Sequence, residues 1–466
     1  MTSQGHRATA GAAVIGAGLG SVLLLHVLEP PLAITWSYAH LWRHPALPLA
    51  ALGLAVVLPA AAHRLVRSRL WRRPCPPWSW PVALALLAVL AIVLPLAATR
   101  FPPFQPGLDQ HYYLGAANDA SRGINRWYLG GWFAHVIARS FAGAPRGLLQ
   151  VWMVSDTVLR MNALFGAVAL VALAGAARTL AASRGEAVAL TVLAWTTFGV
   201  IEISAGYLDI YPSALAILAL YLWASLRALR GEMHPAWPFA VAALGPFWYE
   251  GLASLAPSLA LLAWLVARRP GGALQLAAAS AVALVVSGLA TLPGYVVPFA
   301  WGPFVRDVIA ENATEFGYSP TTSLVPWPML VSATHLREVL HTVLLVDPVG
   351  VLLLVVCGAA ALRQRRCEPE ILFLATLALP YLAYLLLMDA VQGAFADWDL
   401  FSYGTATTSL LGGALFVRWG RYGSPAFGAL LGLAVATNAV HLLARFHALG
   451  IDVERHLAES PIHVPP

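Results

Sequence analysis

The chain has 466 residues, of which 59% are hydrophobic and only 11% are charged, and its mean hydropathy is +0.71. Soluble proteins carry about 45–50% apolar and about 25% charged residues. The composition therefore excludes a soluble globular enzyme, a disordered protein and a nucleic-acid-binding protein. Three scattered cysteines, Cys75, Cys357 and Cys367, are too few for a disulfide framework or a zinc site.

Long apolar windows recur along the whole chain and predict an all-α, polytopic transmembrane protein. A membrane-spanning helix needs about 20 mostly apolar residues, and thirteen windows suggest about 13 spans. The short windows 236–248 and 251–267 have arginine-rich flanks on both sides, so we expect a tight hairpin there. The complete set of windows is 8–28, 46–63, 80–98, 160–177, 186–204, 208–226, 236–248, 251–267, 272–292, 340–361, 370–388, 400–417 and 424–445.

Charge alternates between successive loops and predicts the topology. One set of short loops, together with Arg7, holds 17 of the 28 arginines and only four of the 22 acidic residues. The positive-inside rule places this set and the N-terminus in the cytoplasm. Topology therefore explains the net charge of +6 better than an anionic partner does, and no nucleic-acid partner is expected. The arginine-rich loops are 63–73, 178–184, 227–230, 268–269, 363–366 and 418–421.

The composition also indicates which membrane the chain occupies. All of its basic residues are arginine, and alanine, glycine, proline and leucine are abundant, which is typical of a GC-rich bacterial genome. We therefore expect a multi-pass protein of the bacterial plasma (inner) membrane. Its first window is expected to be a retained helix and not a cleaved signal peptide.

Two external loops are long enough to indicate function, because loops above about 15 residues are uncommon otherwise. The first covers residues 99–159, and the second, 293–339, has the composition of an amphipathic segment that would cover a site as a lid. We divide the chain into an N-terminal two-span extension, 1–79, a core, 80–292, the external amphipathic segment, and C-terminal spans with a short tail, 340–466.

One carboxylate near the start of the first external loop follows a stretch of chain whose prolines favour an extended conformation. Asp109 follows a stretch, 101–107, in which three prolines prevent a continuous helix, and it precedes His111 and Tyr112. Acidic residues near membrane depth are costly and are therefore candidate functional groups. The alternative is that Asp109 caps the helix expected to begin here, and the local sequence favours neither interpretation.

The motifs of this region resemble the GT-C glycosyltransferases, membrane enzymes that use polyprenyl-phosphate sugars and include protein O-mannosyltransferases and lipid A aminoarabinose transferases. Their first external loop often reads Asp-Glu-x-x-Tyr, and this chain reads Asp109-Gln110-His111-Tyr112. The helix after that loop often contains Arg-x-x-Asn-x-Leu-x-Gly, and a similar stretch begins at Arg160.

A third motif extends the resemblance further along the chain. Residues 207–212 combine an acid and a proline at the start of a later apolar window, as the family's external segment does. The resemblance covers roughly residues 80–270. It implies a GT-C-like core with a long first external loop, preceded here by two additional spans.

The resemblance implies a chemistry as well as a fold. It implies inverting transfer of a sugar from a polyprenyl-phosphate donor in the membrane lipid to an unknown acceptor, a glycan, lipid or protein, at the external face. Asp109 would be the general base for the acceptor hydroxyl, with Gln110, His111 and Tyr112 binding substrate. Arginine would hold the departing phosphate. For this role we favour Arg126 and Arg160, the two arginines that flank the first loop. The alternative for both is that their side chains snorkel to the membrane interface.

Three more acids are candidate substrate-binding residues. Asp397 and Asp399 lie in a short external turn and are expected to shape the acceptor or lipid-phosphate site, with capping of the next helix as the alternative. Asp209 borders a tight external turn and is expected to reach the same cavity. Because Gln110 replaces the family's second acid, we assign no metal ligand and no cofactor, and a divalent cation remains open.

Two other functional classes fit the hydrophobicity. A transporter or flippase of lipid-linked or small polar substrates would place acids and helix breaks near the middle of the membrane, matched between two halves. Here the acids cluster on the external side and no internal repeat is visible, which favours the enzyme. A non-catalytic scaffold would leave Asp109 without a role.

Overall fold

The computed structural model describes residues 12–22, 46–75, 78–100, 148–205, 211–296, 330–363, 368–387, 402–421 and 426–459. These residues form helices joined by turns, and none of them belongs to a strand. A single isolated bridge pairs Pro74 with Ser183 in antiparallel sense. The predicted all-α class is therefore confirmed for the described part of the chain.

The helices are numbered here in chain order. A 3-10 segment, Glu250–Leu255, precedes α10. The α-helices are α1 Ala12–Val22, α2 Ala46–Arg67, α3 Arg69–Arg72, α4 Trp80–Arg100, α5 Leu148–Leu180, α6 Arg184–Trp195, α7 Phe198–Ser204, α8 Tyr211–Leu229, α9 Ala236–Trp248, α10 Ala256–Ala267, α11 Gly272–Val296, α12 Ala333–Val346, α13 Pro348–Arg363, α14 Pro369–Leu387, α15 Thr405–Arg421 and α16 Phe427–Glu459.

Every apolar window of the sequence coincides with helix, but not every helix is a complete span. Among the described residues, five helices are long and apolar enough to cross a membrane, in α2, α5, α8, α11 and α14. Two bent pairs, α6 with α7 and α12 with α13, raise this number to seven if each pair is one span. The structure is thus consistent with a membrane-embedded helical protein, and the count of 13 spans stays a prediction.

The bundle has a buried centre and an apolar outside. Helices α5 and α8 are its most enclosed spans, with 72% and 83% of their span windows buried, whereas the figure is 6% for α2 and for α11. Gly175 allows α5 and α8 to approach, because a Cβ there would lie 2.5 Å from the Trp223 ring. On α2, α4 and α11, large aliphatic side chains such as Leu49, Ile92 and Leu284 are exposed. Such a continuous apolar exterior suits lipid better than water.

Contacts bring the arginine-rich loops together at one end of the bundle. The Arg184 N–H donates to the Arg73 carbonyl oxygen over 2.9 Å, which joins the loops at 63–73 and 178–184. The Arg178 guanidinium lies 5.8 Å from the centroid of the Trp78 ring, and Trp78 contacts Trp223 near the end of α8. These contacts place the ends of α2, α5 and α8 side by side.

The arginine-rich loops at 227–230, 268–269 and 418–421 join the same end. Arg269 donates to the carbonyl oxygens of Ala228 and Leu229 at the end of α8. Arg230 pairs with Glu370 over 3.4 Å, and Arg418 pairs with Glu368 over 2.6 Å. We call this surface the arginine-rich end. The contacts support the prediction that these loops share one side, and the compartment that this side faces stays a prediction.

The hairpin expected at residues 236–267 is confirmed. Helix α9 begins just after the arginine-rich end, and α10 finishes there at Ala267, next to Arg269. Helix α9 has 13 residues and is therefore about 20 Å long. Helix α9 is therefore shorter than the hydrocarbon core of a bilayer, which is about 30 Å thick. The second arm continues from the 3-10 segment as one apolar helix, Gly251–Ala267.

Helix α5 is longer than the sequence suggested. It begins at Leu148, twelve residues before the expected start of its span at residue 160, and its 33 residues extend over about 50 Å. The last part of the segment that we assigned to the first external loop is therefore helical. Apolar residues at 148–154 continue the helix beyond the polar stretch that hydropathy treats as a boundary.

Two of the predicted spans are sharply bent. The α6–α7 pair bends by 75°, and the α12–α13 pair bends by 107°. At the first break, the Thr196 hydroxyl donates back to the carbonyl oxygen of Val192, a pattern that bends helices. At the second, Pro348 follows Asp347, and a residue before proline is disfavoured in the helical region.

The grouping of the arginine-rich loops at one end predicts from which side of the membrane an engineered cysteine can be labelled. Ala182→Cys, exposed beside α6, should react with a membrane-impermeant maleimide only from the cytoplasmic side, in a background that lacks the native cysteines. Ala117→Cys in the first external loop should react only from outside. Labelling of Ala117→Cys from the cytoplasmic side alone would contradict both the topology and the mechanism proposed below.

Candidate functional site

Most of the site residues predicted from the sequence lie outside the described residues. Only Arg160 falls within them, as an exposed residue of α5. The others belong to the segments 101–147, 206–210 and 388–401: they are Asp109, Gln110, His111, Tyr112, Arg126, Asp209, Asp397 and Asp399.

Arg160 lies far from the arginine-rich end. It precedes Arg178 on the same helix by 18 residues, which corresponds to about 27 Å. That distance approaches the thickness of a bilayer's hydrocarbon core, about 30 Å. Arg160 therefore occupies the position expected of a residue at the opposite membrane interface.

The helix ends that border the three segments lie at the end opposite to the arginine-rich end. Helix α4 begins beside Trp78, so its last residues lie at the far end, and α5 begins at that end and finishes at Leu180. Helices α7 and α8 also meet there, because Gly166 of α5 packs directly on the backbone of Ser204. We call this surface the opposite end.

Four tyrosines from four parts of the chain form a cluster at the opposite end. Tyr403, just before α15, lies at its centre. Its ring centroid is 6.2 Å from that of Tyr211 in a stacked arrangement, and 5.6 Å and 6.5 Å from those of Tyr249 and Tyr381 in edge contacts. Each side chain is between 6% and 9% exposed. The tyrosine cluster therefore connects the start of α8, the end of α9, helix α14 and the start of α15.

Close backbone approaches hold the tyrosine cluster in place. The Tyr403 hydroxyl donates to the Gly251 carbonyl oxygen over 3.4 Å. Gly404 leaves room for the Tyr381 ring, because a Cβ at Gly404 would lie 2.0 Å from it. The indole of Trp248 donates to the Ser213 hydroxyl over 2.8 Å and fixes the end of α9 against α8. The segments that contain Asp209 and Asp399 rejoin the described chain shortly before two members of this cluster.

A polar centre lies behind the cluster, at the break between α12 and α13. Asp347 is completely buried. Its Oδ1 atom accepts the Gly350 N–H over 2.9 Å, and its Oδ2 atom accepts the hydroxyls of Thr408 and Ser409 over 2.5 Å and 2.9 Å. Burial of a carboxylate is tolerated when such donors compensate it. Asp347 also lies within electrostatic range of Tyr381, which links the polar centre to the tyrosine cluster.

Hydrogen bonds extend this polar centre to the other broken helix pair. The hydroxyls of Ser409 and Thr197 lie 2.9 Å apart, so α15 bonds to both breaks. The amide of Asn438 on α16 donates to the Thr196 hydroxyl over 3.0 Å. His441 Nε2 lies 2.7 Å from the Leu345 carbonyl oxygen, a backbone acceptor at the end of α12. The two breaks thus share one hydrogen-bonded network.

Sequence reasoning missed Asp347. We treated residues 340–361 as one uninterrupted apolar span and looked for acids at window ends. The signal was present as the pair Asp347-Pro348 inside an apolar window, since an acid at that depth is costly and the proline interrupts the helix. Because its oxygens are occupied by donors, Asp347 has the surroundings of a structural residue and not of a reacting base.

The described residues contain no group of three histidine, cysteine, aspartate or glutamate side chains that could hold a metal ion. This statement covers neither the first external loop nor the segment around Asp397. What the described residues offer at the opposite end is aromatic surface, buried hydroxyls and the exposed guanidinium groups of Arg160 and Arg337.

Loss of one donor to Asp347 should destabilise the protein. Thr408→Val removes the hydroxyl at 2.5 Å from Oδ2 and should lower the stability by about 1–3 kcal/mol, because a buried charged acceptor loses a partner. The measurement is the apparent melting temperature in detergent. Thr407→Val is the matched control, since the Thr407 hydroxyl donates only to the Gly404 carbonyl oxygen on its own helix. Equal losses for the two variants would exclude a special contribution of Asp347.

Comparison with known proteins does not assign a family to the chain. No protein-family model matches the sequence, and no curated protein matches it. Its function therefore has to be inferred from its own residues and from the way the helices bring their ends together.

Proposed function

We propose that the chain is a membrane glycosyltransferase that moves a sugar from a polyprenyl-phosphate donor to an acceptor at the opposite end of the bundle. The observation that carries the proposal is the shared position of the helix ends that border the segments containing Asp109, Asp209 and Asp399. Helix ends about 300 residues apart along the chain, those of α4 and α15, thus lie at one end of the bundle. A catalytic site assembled from several loops needs this arrangement.

The nature of the donor follows from the side of the membrane. Nucleotide sugars are made in the cytoplasm, so a transferase on the external face needs a sugar carried by a lipid. Such a donor reaches the protein from within the bilayer. The apolar exterior of α4, which leads into the segment with Asp109, offers a surface along which a polyprenyl chain would pack.

The reaction assigns a role to each candidate. An acceptor hydroxyl attacks the anomeric carbon, Asp109 takes its proton, and the bond between that carbon and the phosphate oxygen breaks with inversion. The departing polyprenyl phosphate carries negative charge, which Arg126 and Arg160 would stabilise through charge-assisted hydrogen bonds. The position of Arg160 about 27 Å from Arg178 along α5 is compatible with this role at the external interface.

Replacement of Asp109 tests the chemistry directly. Asp109→Asn keeps the size and hydrogen bonding of the side chain but removes the proton acceptor, so the transfer rate should fall by about 10²–10⁴. The measurement is transfer from labelled polyprenyl-phosphate sugars in membranes containing the protein. The melting temperature should barely change, because Asn caps a helix about as well as Asp.

Two further variants separate catalysis from capping. Asp119→Asn changes an acid of the same loop that lies in a polar stretch, and it should keep full activity. Asp109→Ala should lose about 1 kcal/mol of stability if the residue is a helix cap. A fully active Asp109→Asn protein would remove Asp109 from the mechanism.

The phosphate-binding role of Arg160 has its own test. Arg160→Lys keeps the charge but lacks the planar pair of donors that binds a phosphate in bidentate fashion, so turnover should fall substantially. Arg146→Lys is the matched control, since we expect that arginine only to snorkel to the interface. Unchanged turnover of Arg160→Lys in the labelled-donor assay would place Arg160 outside the site.

A second candidate function is transport or flipping of a lipid-linked or small polar substrate. It is favoured by the two broken helix pairs, bent by 75° and 107°, whose breaks share the hydrogen-bonded network around Asp347. Discontinuous helices commonly form the binding sites of transporters. In liposomes, a transporter would move the labelled donor across the bilayer without forming a glycosylated product, and its activity would depend on Asp347 and not on Asp109.

A further inference from the structure

One group of arginines at the arginine-rich end has no acidic partner among the residues that the structure describes. It consists of Arg64, Arg67, Arg69, Arg72, Arg73 and Arg184, all of them exposed, and we call it the arginine patch. No aspartate or glutamate occurs between residues 46 and 75. Within the described residues, the only side-chain contact of these guanidinium groups is that of Arg67 with His63, at 3.5 Å.

The arginines of the neighbouring loops are used within the protein. Arg230 and Arg418 pair with acidic residues, and Arg269 donates to two backbone carbonyl oxygens. Arg178 and Arg268 lie over tryptophan rings, at 5.8 Å and 3.8 Å from the ring centroids. The positive-inside rule explains why arginine occurs on this side. It does not explain why, within the described part of the chain, one group of arginines has no acidic partner while these five are bound.

The backbone that carries the patch is held rigidly. The Trp71 side chain of α3 is 8% exposed and lies against Gly185, where a Cβ would come within 2.1 Å of its ring. Trp71 also contacts Phe427 at the start of α16, with ring centroids 6.2 Å apart. The Arg184 N–H donates to the Arg73 carbonyl oxygen. The charges of the patch are thus concentrated on a fixed surface, which reduces the entropy lost when a ligand binds.

The surroundings of the patch indicate the edge of a bilayer. It begins in the last turn of α2, whose span window is only 6% buried within the protein. Leu65 and Leu70 are 44% and 60% exposed between the arginines. Alternation of exposed leucine and arginine at the end of a lipid-facing helix matches the boundary between acyl chains and headgroups.

We propose that the arginine patch binds the headgroups of anionic phospholipids, with phosphate oxygens taking the place of the missing acidic partners. Guanidinium groups bind phosphate in bidentate fashion, and each basic residue near an anionic membrane surface adds to the attraction. The proposal is independent of the proposed transferase activity, since it concerns the other end of the bundle.

Native mass spectrometry of the purified full chain tests the proposal, with phosphatidylglycerol and phosphatidylcholine of identical acyl chains as probes. The wild type should bind phosphatidylglycerol at least about tenfold more tightly, and the triple variant Arg69→Gln/Arg72→Gln/Arg73→Gln should lose that preference. Arg64 and Arg67 are kept so that the topology signal at the end of α2 remains. Arg69→Lys/Arg72→Lys/Arg73→Lys should retain most of the preference.

Three results would overturn the proposal. One is an equal affinity of the wild type for the two lipids, and another is an unchanged preference in the glutamine variant. Arg337→Gln, which removes an exposed arginine of α12, is the control and should behave as wild type. If the glutamine variant does not fold, the salt dependence of the wild-type protein's lipid preference tests the proposal. That preference should weaken strongly in about 0.5 M salt, and a preference insensitive to salt is the third contrary result.

Discussion

Hydrogen bonds to the buried carboxylate of Asp347 hold the interrupted part of the bundle together. In an apolar interior a carboxylate without donors is very costly, so the hydroxyls of Thr408 and Ser409 must remain within reach of it. This requirement sets the position of α15 relative to the break between α12 and α13. The Ser409 hydroxyl also accepts the hydroxyl of Thr197, which carries the same constraint to the second break. Since Tyr403 lies just before α15, the geometry of the tyrosine cluster depends on these bonds as well.

The coarse features of the fold could be predicted because their physical causes are local in sequence. Apolar windows predicted where helices occur, and the alternation of arginine-rich and arginine-poor loops predicted which helix ends lie together. The hairpin at 236–267 followed from arginines on both flanks, and Arg269 bonds to the carbonyl oxygens that end α8 as that arrangement requires. The extent of α5 and the bends of two spans were not predicted, since hydropathy reports the average of a window and not its continuity.

The site was less accessible to sequence reasoning. Asp347 was overlooked because its donors, Thr408 and Ser409, are about 60 residues away along the chain. The tyrosine cluster joins four separate parts of the sequence and has no local signature. The acids that we selected are in segments outside the described residues, and only their flanking helix ends, together with Arg160, are placed. The alternation of charge therefore predicted which helix ends share one surface, and the positions of the selected acids on that surface stay a prediction.

In a bilayer, the short α9 arm of the hairpin would have a mechanical consequence for the surrounding lipid. A helix of about 20 Å beside others that match a bilayer of about 30 Å creates a hydrophobic mismatch on one flank of the bundle. Acyl chains next to that flank must shorten their projection or tilt, and the bilayer becomes thinner there than elsewhere. Because α9 ends at the tyrosine cluster, the thinned region brings lipid headgroups closer to that surface. The barrier to moving a bulky amphiphile along the membrane normal would therefore be lowest beside this hairpin.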